Sequence, residues 1–443
     1  MKRLLRRLIP RGFISLYHWA WAVGSALWYR HPSNEMVVIG ITGTKGKSTT
    51  ANLVYQILQR SGAKTGLLSS VAYRIGDTEL DSVNKMTTPG RGLVQKLMRQ
   101  MVREGCTHVV LEMSSEGIAQ FRHLGIAFDV VALVNLMPEH IESHGSYEAY
   151  RAAKARLFEV TAALPAKKLH GSSVVVPRVR VVPEVLEHPE DLEVFLTPSF
   201  PETITVGMEG GATVRAENVQ TTPTRSSFRL VVEDESCDVR LETPGMFYVS
   251  NALVAAGISV GLGSSPQVIA QALNAFRGLP GRMERVVLDP FLVIVDYAHE
   301  PVSYRGALTA ARMMSGSAGR VLAVIGATGG GRDVARRPEF GKIAAELVDV
   351  VVVTNEDPYD EDPQAIIDQI FSGVEQSGTM KEGVDAFRIS ERRDAIQKVL
   401  ELATPGDVVI LLGKGSETVM AVADGRHIPW SDKETVLELL GSS

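Results

Sequence analysis

An α/β fold built on two separate wound sheets is what this sequence predicts, and three observations carry that expectation. The apolar run "MVVIGI" passes through "TGTKGKSTT" into "TTANLVYQILQRSG", whose apolar residues recur at helical spacing. Strand and helix patterns then alternate from residue 37 to about 160, and a second alternation runs from 291 to 412. Alternation of this kind is the signature of parallel strands with helical crossovers. At 443 residues the chain exceeds one ordinary core and should form two or three domains.

The leader stands apart from the rest. "MKRLLRRLIPR" carries five basic residues and no acid, and "GFISLYHWAWAVGSALW" (12–28) carries no Asp, Glu, Lys or Arg. A spanning helix needs about 17 to 25 apolar residues, so this segment is at the short end. The pattern points to a helix that docks on the protein or lies at a membrane surface with its arginines toward phosphate headgroups. No convincing cleavage site precedes "HPSNE", which argues against a signal peptide. The expected location is cytoplasmic, with membrane-surface contact through residues 1–30 left open.

"MVVIGI" reads as a buried strand and "GITGTKGKSTT" (40–50) as the turn into a helix. Glycines let the backbone wrap an anion, and the helix N-terminus supplies free N–H groups and a positive dipole. Lys47 would reach the terminal phosphates of a nucleotide and Ser48 would offer its hydroxyl to Mg2+. The P-loop pattern is matched except that Ile41 holds the first glycine position, so a generic glycine turn stays open.

Further along, "THVVLEMSSEG" ends an apolar run on Glu112, a carboxylate suited to hold the metal. A third strand pattern (130–134) reaches Asn135, then a loop with His140 and His144, then an alanine-rich helix bearing Lys154. Alone, each of these would read as structural or solvated. Together at strand ends, Glu112 and His140 could meet one metal pair.

A Val-rich, turn-rich stretch (170–243) reads as a small β subregion, followed by a helix at 247–262. The second alternation gives strands at 291–296, 320–326, 349–354 and 407–412, with helices at 301–315, 338–347, 363–376 and 391–402. The expected domains are a leader (1–36), a central nucleotide-binding domain (37–284) and a C-terminal domain (285–443). "GATGGGRD" lacks the Gly-x-Gly-x-x-Gly spacing of a dinucleotide site.

Composition narrows the function classes. A formal charge of -5 leaves no basic footprint for nucleic acid. Cys106 and Cys237 match no metal or redox spacing and read as plain buried thiols.

At this point the chain resembles the Mur ligase family, ATP-dependent enzymes that add amino acids to the peptidoglycan stem. "GTKGKSTT" resembles the family's phosphate loop, and "TTPG", "LEMSSEGIAQFR", "NLMPEHIESHGSYEAYRAAKARLF", "PGMFYVSNALVAAG", "LPGRMERV", "VDYAHEP", "GGGRDVARRPEFG", "NEDPYDEDP" and "LLGKGSE" follow in family order from residue 37 to about 420. The likeness is closest to the branch that adds the third stem residue, the MurE branch. It implies a P-loop-type central ATPase domain with a C-terminal Rossmann-like domain.

Position by position, the resemblance implies that Gly43, Thr44, Lys45, Gly46, Lys47, Ser48 and Thr49 hold ATP, with Asn251, Arg282, Asp296 and His299. It implies that Ser48, Glu112, His140 and Lys154 form the metal site, with two Mg2+ ions and a CO2-derived carbamate on Lys154. Catalytic roles fall to Lys47, Lys154, Arg282 and His140. Thr87, Thr88, Ser114, Gln120 and Arg122 match acceptor positions; Arg332, Glu356, Asp357, Pro358, Tyr359, Gly413 and Glu417 match the amino-acid pocket. The implied reaction activates the acceptor carboxylate as an acyl phosphate, which the incoming amine converts to an amide.

Three departures from the branch qualify this. Only about 36 residues precede the nucleotide domain where the branch carries a UDP-binding domain, so the leader is expected to dock a shortened acceptor or approach a lipid-linked one. Where diaminopimelate-adding enzymes read Asp-Asn-Pro-Arg, this chain reads Glu356-Asp357-Pro358-Tyr359, which favours a basic or neutral amino acid. Glu116 and Ser416 replace histidines, with no effect that the sequence reveals. The competing readings are an amino-acid polymer ligase of the cyanophycin or polyglutamate kind and a non-catalytic scaffold of the same fold. Retention of Thr87, Thr88, Ser114, Gln120 and Arg122 speaks against the first, and of Lys47, Glu112, His140 and Lys154 against the second.

Overall fold

A computed structural model describes residues 11–80, 87–138, 144–169, 175–208, 210–222, 224–331 and 334–441, with side chains from Tyr17 onward. His140 and Arg332 therefore lie outside the described residues. The chain divides into two compact units. One runs to Thr221 and includes Arg225–Arg277, and the other holds Thr222–Thr224 and everything from Gly278.

In the first unit, helix α1 (Arg11–Trp28) leads to β1 (Val37–Thr42), α2 (Lys47–Arg60), β2 (Thr65–Leu68), β3 (Tyr73–Ile75) and β4 (Thr78–Glu79). Then come α3 (Arg91–Arg103), β5 (His108–Glu112), the short α4 (Ser115–Ala119), β6 (Val130–Leu133) and α5 (Tyr147–Ala162). The unit is completed by β7 (Val179–Pro183), α6 (Pro189–Leu196), β8 (Glu202–Gly207), β9 (Val214–Thr221), β10 (Ser226–Val232), β11 (Glu235–Leu241), α7 (Met246–Gly261) and α8 (Pro266–Ala275).

All eleven strands form one sheet, ordered β11-β10-β9-β8-β7-β6-β1-β5-β2-β3-β4. The register pairs Ile41 with Glu112 and Thr42 with Leu133, so β1, β5 and β6 end side by side. β1 is buried at every position, as expected of a central parallel strand covered on both faces. The stretch expected as a small β subregion continues this same sheet. β7 and β8 add in parallel, and β9 to β11 form an antiparallel edge, so the backbone groups left open by β6 are satisfied by more sheet.

That arrangement corrects one expectation. Cys106 is buried, but Cys237 is only half-buried because β11 is the outermost strand and Cys237 sits near its hairpin end.

Local chemistry sets the helix starts. Ser114 accepts from Gly117 N–H and Ser146 from Ala149 N–H, each capping a helix whose first donors would otherwise be orphaned. In α3, Val94, Leu97, Met98 and Met101 make the buried stripe, at the helical spacing that their sequence pattern shows.

The second unit holds β12 (Glu284–Val287), β13 (Leu292–Asp296), α9 (Pro301–Ser315), β14 (Val321–Ile325), α10 (Arg337–Leu347), β15 (Val350–Val353), α11 (Pro363–Ser377), β16 (Ala386–Arg388), α12 (Arg392–Leu402), β17 (Val408–Leu412), β18 (Val419–Val422), β19 (Arg426–Pro429) and α13 (Asp432–Leu439). Its main sheet is ordered β12-β13-β17-β14-β15-β16, parallel except for β12, with β18 and β19 forming a separate hairpin. Pro301 and Pro363 stand at the first turns of α9 and α11, where a missing N–H costs nothing. Because Asp296 pairs with Leu412, the ends of β13 and β17 share one edge, and the loops after β14 and β15 lie on it too. Open α/β sheets bind ligands at this edge.

Candidate functional site

The first unit gathers its polar residues where β1, β5 and β6 end. Gly46 caps α2 with φ +78°, and a Cβ there would lie 2.1 Å from Asn251 Oδ1. Only glycine meets both demands, the left-handed backbone and the close approach of α7.

The loop is fixed from the neighbouring strand. Thr44 N–H donates to Asn135 O and to Asn135 Oδ1 (both 3.1 Å), and Lys45 N–H donates to Oδ1 at 2.9 Å. Thr44 Oγ1 pairs with Tyr150 OH at 2.9 Å. Lys47 Nζ donates to Thr44 O (2.8 Å) and Gly43 O (3.1 Å), so the ammonium folds over the loop it belongs to. Thr49 follows inside the first turn of α2, buried.

Ser48 Oγ donates to Glu112 Oε1 at 3.2 Å, and Ser70 N–H donates to Oε2 at 2.8 Å. A buried carboxylate and a hydroxyl at a helix N-terminus form a set of hard oxygen donors that suits Mg2+. Lys154 is 2% exposed and donates to Gly43 O at 2.6 Å, with Nζ 4.4 Å from the centre of the Tyr150 ring. Glu112 therefore meets the first turn of α2, and Lys154 meets the loop that precedes it. His144 meets Ser115 Oγ at 3.1 Å; burial lowers its pKa, Glu116 opposes this and Lys154 reinforces it. Among the described residues no cluster of three or more His, Cys, Asp or Glu could hold a metal.

The expected acceptor residues form a bonded group beside β5. Thr88 Oγ1 donates to Glu112 O at 3.0 Å and accepts from Ser114 N–H at 2.9 Å. Arg122 donates to Thr88 O and to Gln120 Oε1. Arg91 donates to Gln120 O. Thr87 precedes the group, half-buried. Burial, then the charge of Arg122, lowers the pKa of Arg91, so two guanidiniums share this corner. Sequence reasoning passed over Arg91, although it follows "TTPG" directly.

In the second unit, Asp296 accepts from Met283 N–H and Ala298 N–H, both at 2.8 Å, and His299 Nδ1 lies 2.9 Å from Tyr297 O. The Arg282 guanidinium stacks 4.2 Å from the Tyr297 ring centre. Burial, then the charge of Glu417, raises the Tyr297 pKa, which ties this turn to the Gly413–Glu417 loop. Lys414, fully buried, donates to Asp357 Oδ1 (2.9 Å) and Glu417 Oε2 (2.7 Å). Burial lowers the Lys414 pKa, but the two carboxylates outweigh it and the net shift is upward. Lys414 was not singled out from the sequence, although it stands within the quoted "LLGKGSE".

Glu356 is 4% exposed. Its Oε1 accepts from Thr328 Oγ1 at 3.0 Å, while among the described residues no donor reaches Oε2. A Cβ on Gly413 would lie 2.2 Å from that oxygen. Burial, opposed by Arg392 and Lys414, raises the Glu356 pKa to about 7. Pro358 closes against Gly329, and Tyr359, with φ +52°, packs beside Gly330.

Residues 41–259 match the Mur ligase middle domain and residues 281–415 the Mur ligase glutamate ligase domain. Over 413 residues the chain is 36% identical to a UDP-N-acetylmuramyl-tripeptide synthetase of Roseiflexus sp. (strain RS-1), covering 92% of this chain and 79% of that protein. The chain belongs to the Mur ligase family. It is an ATP-dependent ligase of the acid–amino-acid class.

Another relative of this Mur ligase, the UDP-N-acetylmuramoyl-L-alanyl-D-glutamate--2,6-diaminopimelate ligase of Geobacillus kaustophilus (strain HTA426), is 34% identical and spans 94% of this chain and 81% of its own. A solved ligase of the same description superposes with a TM-score of 0.62 at 26% identity, covering 92% of this chain and 78% of that one. A folylpolyglutamate synthase of Mycobacterium tuberculosis reaches 0.69 at 16% identity, covering 89% and 92%, a likeness of fold alone.

Proposed function

We propose that this ligase extends a muramyl-peptide acceptor by one amino acid that carries a cationic or neutral side chain. The N–H groups at the start of α2 and Lys47 bind the nucleotide phosphates. Ser48 and Glu112 would hold Mg2+, whose positive charge lets an anionic carboxylate approach an anionic phosphate. Lys154 would enter this site as its carbamate. The modified nitrogen would keep one N–H for Gly43 O, while two oxygens sharing one negative charge would replace a cation that repels the metal. His140 is assigned to the same site from the resemblance.

Arg91 and Arg122 suit the acceptor's negative charge. Its terminal carboxylate attacks the γ-phosphate, ADP leaves, and an acyl phosphate forms. From the resemblance, Arg282 is assigned to the transferred phosphate, and Asn251, Asp296 and His299 to the nucleotide. The amine of the incoming amino acid then attacks the acyl carbon, phosphate departs and the amide remains.

Glu356 is the observation that carries the choice of amino acid. A buried carboxyl group with an oxygen that no described donor reaches is suited to a cationic group that supplies the missing hydrogen bonds and charge. Asp357 contributes less than Glu356 to this choice, because it shares the buried Lys414 ammonium with Glu417. Tyr359 stands where an arginine would pair with the distal carboxylate of diaminopimelate. Diaminopimelate is the second reading, favoured by what several relatives are named for.

ADP release from ATP, UDP-muramyl-dipeptide and each candidate amino acid separates the two. Lysine or ornithine should give the highest kcat/KM. A higher value with diaminopimelate would overturn the choice.

A further inference from the structure

Helix α1 is docked by its small residues and shows its large ones to the outside. Ala22 and Ala26 are buried, Ser25 Oγ lies 3.4 Å from Arg91 O, and Ala26 Cβ sits where a side chain on Gly125 would clash. The chain after the helix is clamped by Arg99, which donates to Tyr29 O and Arg30 O, both at 2.9 Å, and pairs with Glu35 at 2.7 Å. The helix is therefore held in one rotational setting.

In that setting the apolar face is turned outward. Tyr17, Trp21 and Trp28 fall within an arc of about 40° at 100° per residue, and Ala20 and Leu27 extend it on one side. Exposure reaches 62% for Tyr17, 55% for Trp21, 61% for Leu27 and 82% for Trp28. Two of the chain's four tryptophans, Trp21 and Trp28, are in this stripe, while Trp19, 49% exposed, lies on another side of the helix. A monomer surface rarely leaves such a set uncovered.

Charge decides what covers it. Lys2, Arg3, Arg6, Arg7 and Arg11 precede or begin the helix, and the first acid of the chain is Glu35. An aromatic stripe preceded in sequence by a run of pure positive charge complements the headgroup region of an anionic bilayer, where Trp and Tyr seat their amphipathic rings. Among the described residues no helix is long and apolar enough to cross a membrane. We propose that α1 is an interfacial foot that seats this ligase on an anionic lipid surface through Tyr17, Trp21, Leu27 and Trp28. The docked side of the same helix, through Ser25, packs against Arg91, which donates to Gln120 O in the expected acceptor group.

The test is partition of the full-length protein onto equimolar phosphatidylglycerol–phosphatidylcholine vesicles and onto phosphatidylcholine alone, by co-sedimentation with tryptophan emission as a second readout. Binding should favour the anionic vesicles, weaken with salt, and shift the emission to the blue. The double variant Leu27→Ser/Trp28→Ser should lose at least about ten-fold in partition. Because both side chains are exposed, ATP turnover with a soluble acceptor should stay unchanged. Replacing Arg3, Arg6 and Arg7 by Ser should cost on the order of a hundred-fold, at about five-fold per charge. Equal partition onto both vesicle types, partition onto neither, or undiminished binding by the double variant would overturn the proposal. So would a solution dimer that the double variant splits, since the face would then belong to a second copy.

Discussion

Replacing Glu356 by Gln should make the second unit more stable at alkaline pH and about 1 kcal/mol less stable in acid, where the carboxyl is protonated in both states. Burial holds the Glu356 carboxyl at about 7 against an ordinary 4.5. Below about pH 4.5 the group is protonated in both folded and unfolded chains, and its contribution is fully present. As pH rises, the unfolded chain releases the proton first, so stability falls until the folded carboxyl ionises near 7 and the contribution is lost. The difference of about 2.5 pH units corresponds to about 3 kcal/mol at pH 8. Gln can still accept from Thr328, but its amide nitrogen would lack a partner near Gly413, which returns about 1 kcal/mol. A net gain of about 2 kcal/mol is expected, or close to 1 M in urea midpoint at an m-value of about 2 kcal/mol/M. Trp430 reports on this region, because its Nε1 donates to Asp432, the partner of buried Arg392. Urea unfolding should be followed through Trp430 with Trp19, Trp21 and Trp28 replaced by Phe, from pH 5 to 8.5. A difference that is flat across this range, or a variant less stable at pH 8, would refute the reasoning.

Other perturbations probe the remaining features. Gly46→Ala should cost about 1–3 kcal/mol through left-handed strain and displacement of Asn251, and weaken ATP binding at least ten-fold by calorimetry. Adding Asn251→Ala should recover only the contact part of the stability loss. Lys414→Met should destabilise the second unit by about 3–5 kcal/mol in urea unfolding, because Asp357 and Glu417 lose their buried counter-ion; a loss under about 1 kcal/mol would argue that the triad is solvated. Isotope-labelled bicarbonate should give a carbamate carbonyl signal in the wild type that Lys154→Arg abolishes, with activity reduced by about 100-fold or more. Full activity in Lys154→Arg would remove the carbamate from the account.

Much of this was legible locally. The β1–loop–α2 turn announced itself because glycines, lysine and serine are spaced as an anion cradle requires, and Asn135 and Glu112 showed as polar residues closing apolar runs. Pro301 and Pro363 marked helix starts to the residue, since proline is tolerated there and almost nowhere further inside. What stayed hidden depends on contacts distant in sequence. The strands after residue 175 carry an alternating pattern that fits a separate sheet or an extension, and only pairing of β6 with β7 decides for extension. Lys414 reads as an ordinary loop lysine until Asp357, 57 positions away, is brought against it. Orientation of α1 was hidden too, because after Arg11 the helix carries no Asp, Glu, Lys or Arg and so has no charged face to reveal which side is buried.

Transfer of oxygen from the acceptor to phosphate is the most direct measure of the central claim. With heavy oxygen in both positions of the acceptor's terminal carboxylate, one turnover should place one labelled oxygen in the released phosphate and leave the other in the new amide. Release should require ATP, acceptor and amino acid together. Unlabelled phosphate, or equal release without the acceptor, would contradict activation through an acyl phosphate.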